Sequence, residues 1–324
     1  MSTFATPLTR LLNTANPLVL APMGGASGGR LAAAVSRAGG LGLVGASYGD
    51  PDWMKTELAL MSDVKEPWGV GLVMFTVARR FELLDLALSY RPHVVALSFG
   101  DARSFIAPIK DSGALAIVQV HEVDQALAAL DAGADALIVQ GAEAGGHSLR
   151  RASFPLLPAV RDAVAKETVL IAAGGIADGR GLAAALLLGA DGAMMGTRFL
   201  ASEEALPSNK VKQRLVQARA GDTVRTRAFD LVRGIEWPEQ YSGRALANDF
   251  TARWLGFEQE LLQAPPSVGE DYAQALRNDN TDVRAIWAGE VADLINDVLP
   301  ATTIVEQTLR GAEQALRDAR KLFA

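Results

Sequence analysis

The chain has 324 residues, no cysteine, and a formal net charge of −6 from 31 basic and 37 acidic side chains. The missing thiol excludes disulfides, zinc–thiolate sites, iron–sulfur clusters and thiol nucleophiles. The lack of a basic block speaks against nucleic acid and anionic membrane as partners. No apolar stretch reaches the ~18 residues of a membrane span, and Met1 to Asn16 contains no signal-like apolar region, so a soluble cytoplasmic protein is expected.

From the N-terminus onward, short apolar runs alternate with Ala-rich helical stretches. The runs are Leu18 to Met23, Gly42 to Ala46, Gly69 to Met74, Val94 to Phe99, Leu115 to Val120, Ala136 to Val139, Val169 to Ala173 and Ala193 to Met195. They are rich in Val, Ile and Leu with little alternation, the signature of parallel strands covered on both faces. Helical spacing falls between them, as in Arg30 to Ala38, Val123 to Ala132 and Gly181 to Leu188. Eight such units in ~200 residues predict a (β/α)8 TIM barrel rather than an open doubly wound sheet.

Beyond Phe199 the rhythm changes. Residues 203–300 show little strand signal and several amphipathic helical segments, in which Trp237, Trp254 and Trp287 are expected to be core. Thr302 to Phe323 has the spacing of one helix and is expected to return as the last barrel helix. The predicted organisation is therefore a barrel over 1–202, a helical insertion over 203–300, and a returning helix over 301–324. Two uses stay open for the insertion, a lid over the barrel mouth and a homodimer surface.

Chemistry in such barrels gathers at strand C-terminal ends. The loop Gln140-Gly141-Ala142-Glu143-Ala144-Gly145-Gly146-His147 places one of three histidines there, and imidazole exchanges protons near neutral pH. Ala173-Gly174-Gly175 and Gly196-Thr197 end the seventh and eighth runs, where backbone amides bind phosphate. Ala21-Pro22-Met23 ends the first and can pack against a planar ring. No Gly-x-Gly-x-x-Gly opens a helix after the first strand, so a Rossmann NAD site is unsupported. His121 is a secondary candidate, and His93 is assigned to the barrel bottom. Asp101 reads as a helix cap, Glu143 as a solvated residue, and Arg180 as either a phosphate contact or a solvent ion pair.

The segments LAPM (20–23), AAAVSRAGGLG (32–42), QGAEAGGH (140–147), AAGGIADGR (172–180) and MGTRF (195–199) resemble the nitronate monooxygenase family, formerly 2-nitropropane dioxygenases. The resemblance implies an FMN-binding TIM barrel with a helical second domain. It implies that Ala21, Pro22 and Met23 lie at the flavin ring, that Gln140 lies near its polar edge, and that Gly145 and Gly146 line the cofactor loop. Gly174, Gly175, Gly196 and Thr197 would hold the phosphate, and His147 aligns with the catalytic histidine. The chain departs from the family pattern at Gly71, where relatives place Asn, and at Gln119, where a polar or basic flavin contact is usual. The implied reaction is oxidation of alkyl nitronates, with nitroalkanes also considered, by O2 to a carbonyl compound and nitrite. Two alternatives stay open: a flavin-dependent NAD(P)H reductase of the same barrel type, acting on enoyl-acyl-carrier-protein or quinone, and a non-catalytic flavin-binding protein. An inosine-monophosphate-dehydrogenase-like enzyme is excluded, because it requires a cysteine.

Overall fold

A computed structural model describes residues 4–46 and 48–322. Nine strands come first: β1 Leu18–Leu20, β2 Gly42–Gly45, β3 Trp68–Val73, β4 Val94–Ser98, β5 Leu115–Val120, β6 Ala136–Gln140, β7 Gly146–Ser148, β8 Val169–Ala173 and β9 Gly192–Met195. All except β7 form one parallel sheet in the order β1-β9-β8-β6-β5-β4-β3-β2. The sheet closes on itself, since Leu41 donates to the Leu18 carbonyl and Leu20 donates to that of Leu41, both at 2.9 Å. The eight strands match the eight apolar runs to within a few residues. They stand out in the sequence because each strand is buried on both faces.

Alternate residues of each strand serve different cores. Val94, Ala96, Ile117, Ile138 and Ile171 fill the barrel interior, with Leu8 and Leu12 of the helix Pro7–Leu12 in the same cluster at its lower end. Val95, Leu97, Val118, Leu137 and Leu170 face outward into the larger core beneath the helices. The helix Ala301–Ala319 packs against the helices Gly179–Leu187 and Gly29–Arg37 in the outer ring. Its contact with Gly179 is backbone-close: a Cβ there would lie 2.1 Å from the Ala312 nitrogen. Phe323, the expected end of this helix, lies outside the described residues.

The region after Phe199 is not purely helical. It contributes β10 Thr223–Thr226 and β11 Ser242–Leu246, which form an antiparallel sheet with β7 in the order β10-β11-β7. In that register His147 faces Gly243. These strands escaped detection because Thr-Val-Arg-Thr and Ser-Gly-Arg-Ala-Leu are short and half polar, and the pairing of β11 with β7 crosses nearly a hundred residues of chain. Among the described residues no helix is long and apolar enough to cross a membrane.

Candidate active site

A cavity of about 530 Å³ opens at the C-terminal ends of the barrel strands, under residues of the 203–300 segment. That size suits a small-molecule or cofactor site. Of the residues predicted for the site, Ala21, Pro22, Met23, Gln119 and Gln140 line it, as do Gly145, Gly146 and His147. So do Gly174, Gly175, Gly196 and Thr197. Gly71 does not line it. A Cβ on Gly71 would fall 2.1 Å from the Cβ of Pro22, so this glycine seats the Pro22 ring from below. An Asn side chain has no room there.

One wall of the cavity carries glycine turns whose backbone amides could hold an anion. Gly174 and Gly175 both hold positive φ, 92° and 75°, a region open to glycine at little cost. The amides of Gly175, Ile176, Gly196 and Thr197 donate to no protein group among the described residues. Four free amides on one cavity wall match the oxygens of a phosphate. Thr197 Oγ1 accepts from the Gly289 amide at 3.0 Å, leaving its hydroxyl proton to donate. Arg180 is not part of this cradle; it pairs with Asp178 on the surface.

On the polar wall, Gln140 Oε1 accepts from Gln119 Nε2 at 2.7 Å and from His121 Nε2 at 2.8 Å. With its oxygen engaged twice, the Gln140 amide can only present its NH2 to the cavity. His121 does not line the cavity. It lies behind Phe99 and acts as a neutral donor, because burial pushes its pKa down to about 4 against the opposing pull of Gln140 and Gln125. Unfolded His121 takes up its proton near 6.5, so between that value and about 4 the unfolded chain binds more protons. The stabilisation is therefore complete above about pH 6.5 and lost as pH falls toward 4. In urea titrations at a series of pH values, the stability gap between wild type and His121→Gln should narrow as pH falls. A gap independent of pH would contradict the neutral-donor assignment.

His147 is 7% exposed, and its Nε2 lies 2.7 Å from Asp230 Oδ2. Its ring stacks on Trp237 at 3.5 Å and 4°, with Trp287 at 5.0 Å and Phe99 edge-on at 6.4 Å. Trp237 is buried and Trp287 packs against the Phe229 cluster, as expected of core residues, and both also line the cavity. Trp254 sits in a core, with Phe229, Phe250 and Leu261. Phe99 holds φ 61°, an unfavourable value for an aromatic residue and one that recurs where sites store strain. Tyr48 Oη accepts from Trp237 Nε1 at 3.0 Å. Burial first, and then the charge of Asp230, hold that phenol above its ordinary pKa.

The glycine loop is clamped from the other sheet. Arg225 on β10 donates to the Ala142 carbonyl and to Ser148 Oγ and O, while Arg244 on β11 donates to the Ala142 carbonyl as well. Burial, and then the charges of Arg244 and Arg150, lower the Arg225 guanidinium to about 10. Glu143 is not merely solvated; its carboxylate accepts from the Ser153 amide and hydroxyl. Asp101 turns to the Arg103 amide at 3.1 Å, and His93 sits at the opposite end of the barrel, at the entry to β4. Asp230 was the residue most open to detection: an acid inside Ala228-Phe229-Asp230-Leu231-Val232 is an ionisable group in an apolar run.

Fold and site together define a flavin-dependent oxidoreductase on a (β/α)8 barrel. The chain belongs to the nitronate monooxygenase family, whose model, "Nitronate monooxygenase", matches residues 5–78 and 72–311. It is 31% identical to (3aS,4S,5R,7aS)-5-hydroxy-7a-methyl-1-oxo-octahydro-1H-indene-4-carboxyl-CoA dehydrogenase of Mycobacterium tuberculosis, over 98% of each chain. It is also 31% identical to a nitronate monooxygenase of Neurospora crassa, over 96% of this chain and 93% of that one. Among solved structures it is similar to FabK of Thermotoga maritima, with a TM-score of 0.87 and 31% identity over 99% of this chain and all of that one.

Proposed function

We propose that the protein binds FMN at the barrel mouth and oxidises alkyl nitronates, and nitroalkanes after loss of their α-proton, with O2 to a carbonyl compound and nitrite. The observation that carries this reading is His147, a buried imidazole in the cavity wall, held by a carboxylate, boxed by aromatic rings, and with Nδ1 unpartnered among the described residues. The residues fit the cofactor. The amides of Gly175, Ile176, Gly196 and Thr197 would take the phosphate, Pro22 and Met23 would flank the ring system, and Gln140 would donate to its polar edge. When bound, FMN supplies the electron-transfer and O2 chemistry. His147 takes the α-proton of a neutral nitroalkane or hydrogen-bonds a preformed nitronate. Phe99, Trp237 and Trp287 keep water from the reacting carbon. In this reading residues 203–300 act as a cover for the barrel, and the substrates are small molecules and O2.

One observation favours a second reading, a flavin-dependent NAD(P)H reductase. Arg233 and Arg284 also line the cavity, and a relative is named for a coenzyme A thioester; two guanidinium groups suit a large anionic substrate. A visible spectrum of the purified protein, followed by separate anaerobic additions of an alkyl nitronate and of NADH, separates the two. Bleaching by nitronate alone, then nitrite on admitting air, is expected. Bleaching by NADH alone would move the assignment to the reductase, and a colourless protein that cannot be loaded with FMN would overturn both.

A further inference from the structure

Asp230 belongs to the connection between β10 and β11, while His147 lies on β7, so both partners are carried by one three-stranded sheet. The contact is 2.7 Å between Nε2 and Oδ2, and Asp230 is 1% exposed. The other carboxylate oxygen, Oδ1, is buried with no hydrogen-bond partner. A carboxylate kept only to stitch the fold together would be satisfied at both oxygens, and a buried orphan calls for another explanation. Among the described residues His147 is the only side chain that donates to the Asp230 carboxylate, at Oδ2. On the imidazole, Nδ1 has no partner among the described residues and is not sealed off as Asp230 Oδ1 is. The stacked Trp237 ring and the tilted Trp287 ring hold the imidazole plane.

We propose that Asp230 is a positioning residue that holds His147 as the Nε2–H tautomer, making Nδ1 the atom that takes the substrate's α-proton. This rests on the base role proposed above for His147. A carboxylate acceptor at Nε2 requires the hydrogen there, which leaves the lone pair on Nδ1. In the step itself the substrate Cα–H bond breaks and its electron pair moves into the C=N bond of the nitronate, with the negative charge on the nitro oxygens. The proton goes to Nδ1, and the resulting imidazolium keeps its Nε2–H on Asp230, whose charge stabilises it. Nothing is oxidised or reduced in this step.

The test uses the FMN-loaded protein labelled with 15N-histidine. With only three histidines in the chain, long-range proton–nitrogen correlation spectra are assigned by comparison with His147→Asn. His147 is expected to show a protonated Nε2 and an unprotonated Nδ1. In Asp230→Asn, whose amide can donate as well as accept, the Nδ1–H form should appear. The ratio of nitroalkane to nitronate turnover should fall by about 10²–10⁴-fold, with part of it restored in Asp230→Glu. An Nδ1–H tautomer in the unsubstituted protein, or an unchanged ratio in Asp230→Asn, would overturn the proposal. If Asp230→Asn does not fold, the spectrum of the unsubstituted protein still decides the tautomer. Should His147→Asn leave the ratio unchanged, the base role fails and the proton-accepting part of the proposal with it, while the tautomer spectrum separately decides what Asp230 does to the ring.

Discussion

Replacing His147 with Asn is expected to lower turnover of a neutral nitroalkane by about 10²–10⁴-fold, the usual worth of a positioned general base, and to lower nitronate turnover far less. The two substrates differ by one proton. A nitronate arrives without it, so only the hydrogen-bonding part of the imidazole's work is lost. Asparagine keeps a polar side chain of similar reach between Trp237 and Asp230, so the aromatic box need not collapse. The measurement is kcat/KM for a matched nitroalkane and nitronate pair in both proteins. Equal losses on the two substrates would remove the base assignment.

Gly175→Asp is expected to produce a folded protein that has lost FMN, with its Kd raised about 100-fold or more. Two effects act. A side chain at φ 75° strains the backbone by about 1–2 kcal/mol. The strain weakens the fold, while the new carboxylate stands among amides suited to a phosphate and repels it; the roughly 100-fold loss in affinity corresponds to about 3 kcal/mol of that repulsion. Packing is not the obstacle, because a Cβ there would be 3.7 Å from Glu143 and Ser153, an ordinary contact. Gly175→Ala carries the strain without the charge and should lose much less affinity. Fluorescence titration with FMN reads the affinity, and circular dichroism confirms the fold. A Gly175→Asp protein that purifies yellow with full FMN content would exclude the amide cradle as the phosphate site.

The contrast between the two parts of the chain shows what is written locally. Val94 to Ser98 and Val169 to Ala173 are legible as strands because two-sided burial requires an unbroken apolar run. The helix Ala301–Ala319 is legible because one face of it must be apolar at helical spacing. Gly174 is legible because a positive φ close against the Gly141 backbone requires glycine, and Gly175 because its positive φ favours glycine. Each signal is set by conditions at the residue itself. The barrel, the order of its strands and the glycine-lined wall of the cavity therefore follow from the sequence.

Other features depend on residues far apart in the chain. Asp230 reaches His147 across 83 positions, and nothing within either neighbourhood fixes that contact; it arises when β11 pairs with β7. Trp237 and Trp287 have the composition of core residues, and only the fold turns them onto the imidazole as well. Gly71 looks like a gap in the flavin contacts until Pro22 is seen to fill the space above it. Gln140 is polar in any reading, but two donors from β5 and the loop after it decide which end of its amide faces the cavity. Backbone requirements and periodicity determined the scaffold from sequence alone. The orientation of the imidazole, the identity of its partner and the enclosure around it were decided only by tertiary structure, because they depend on closure of the barrel and on a second sheet that no local pattern encodes.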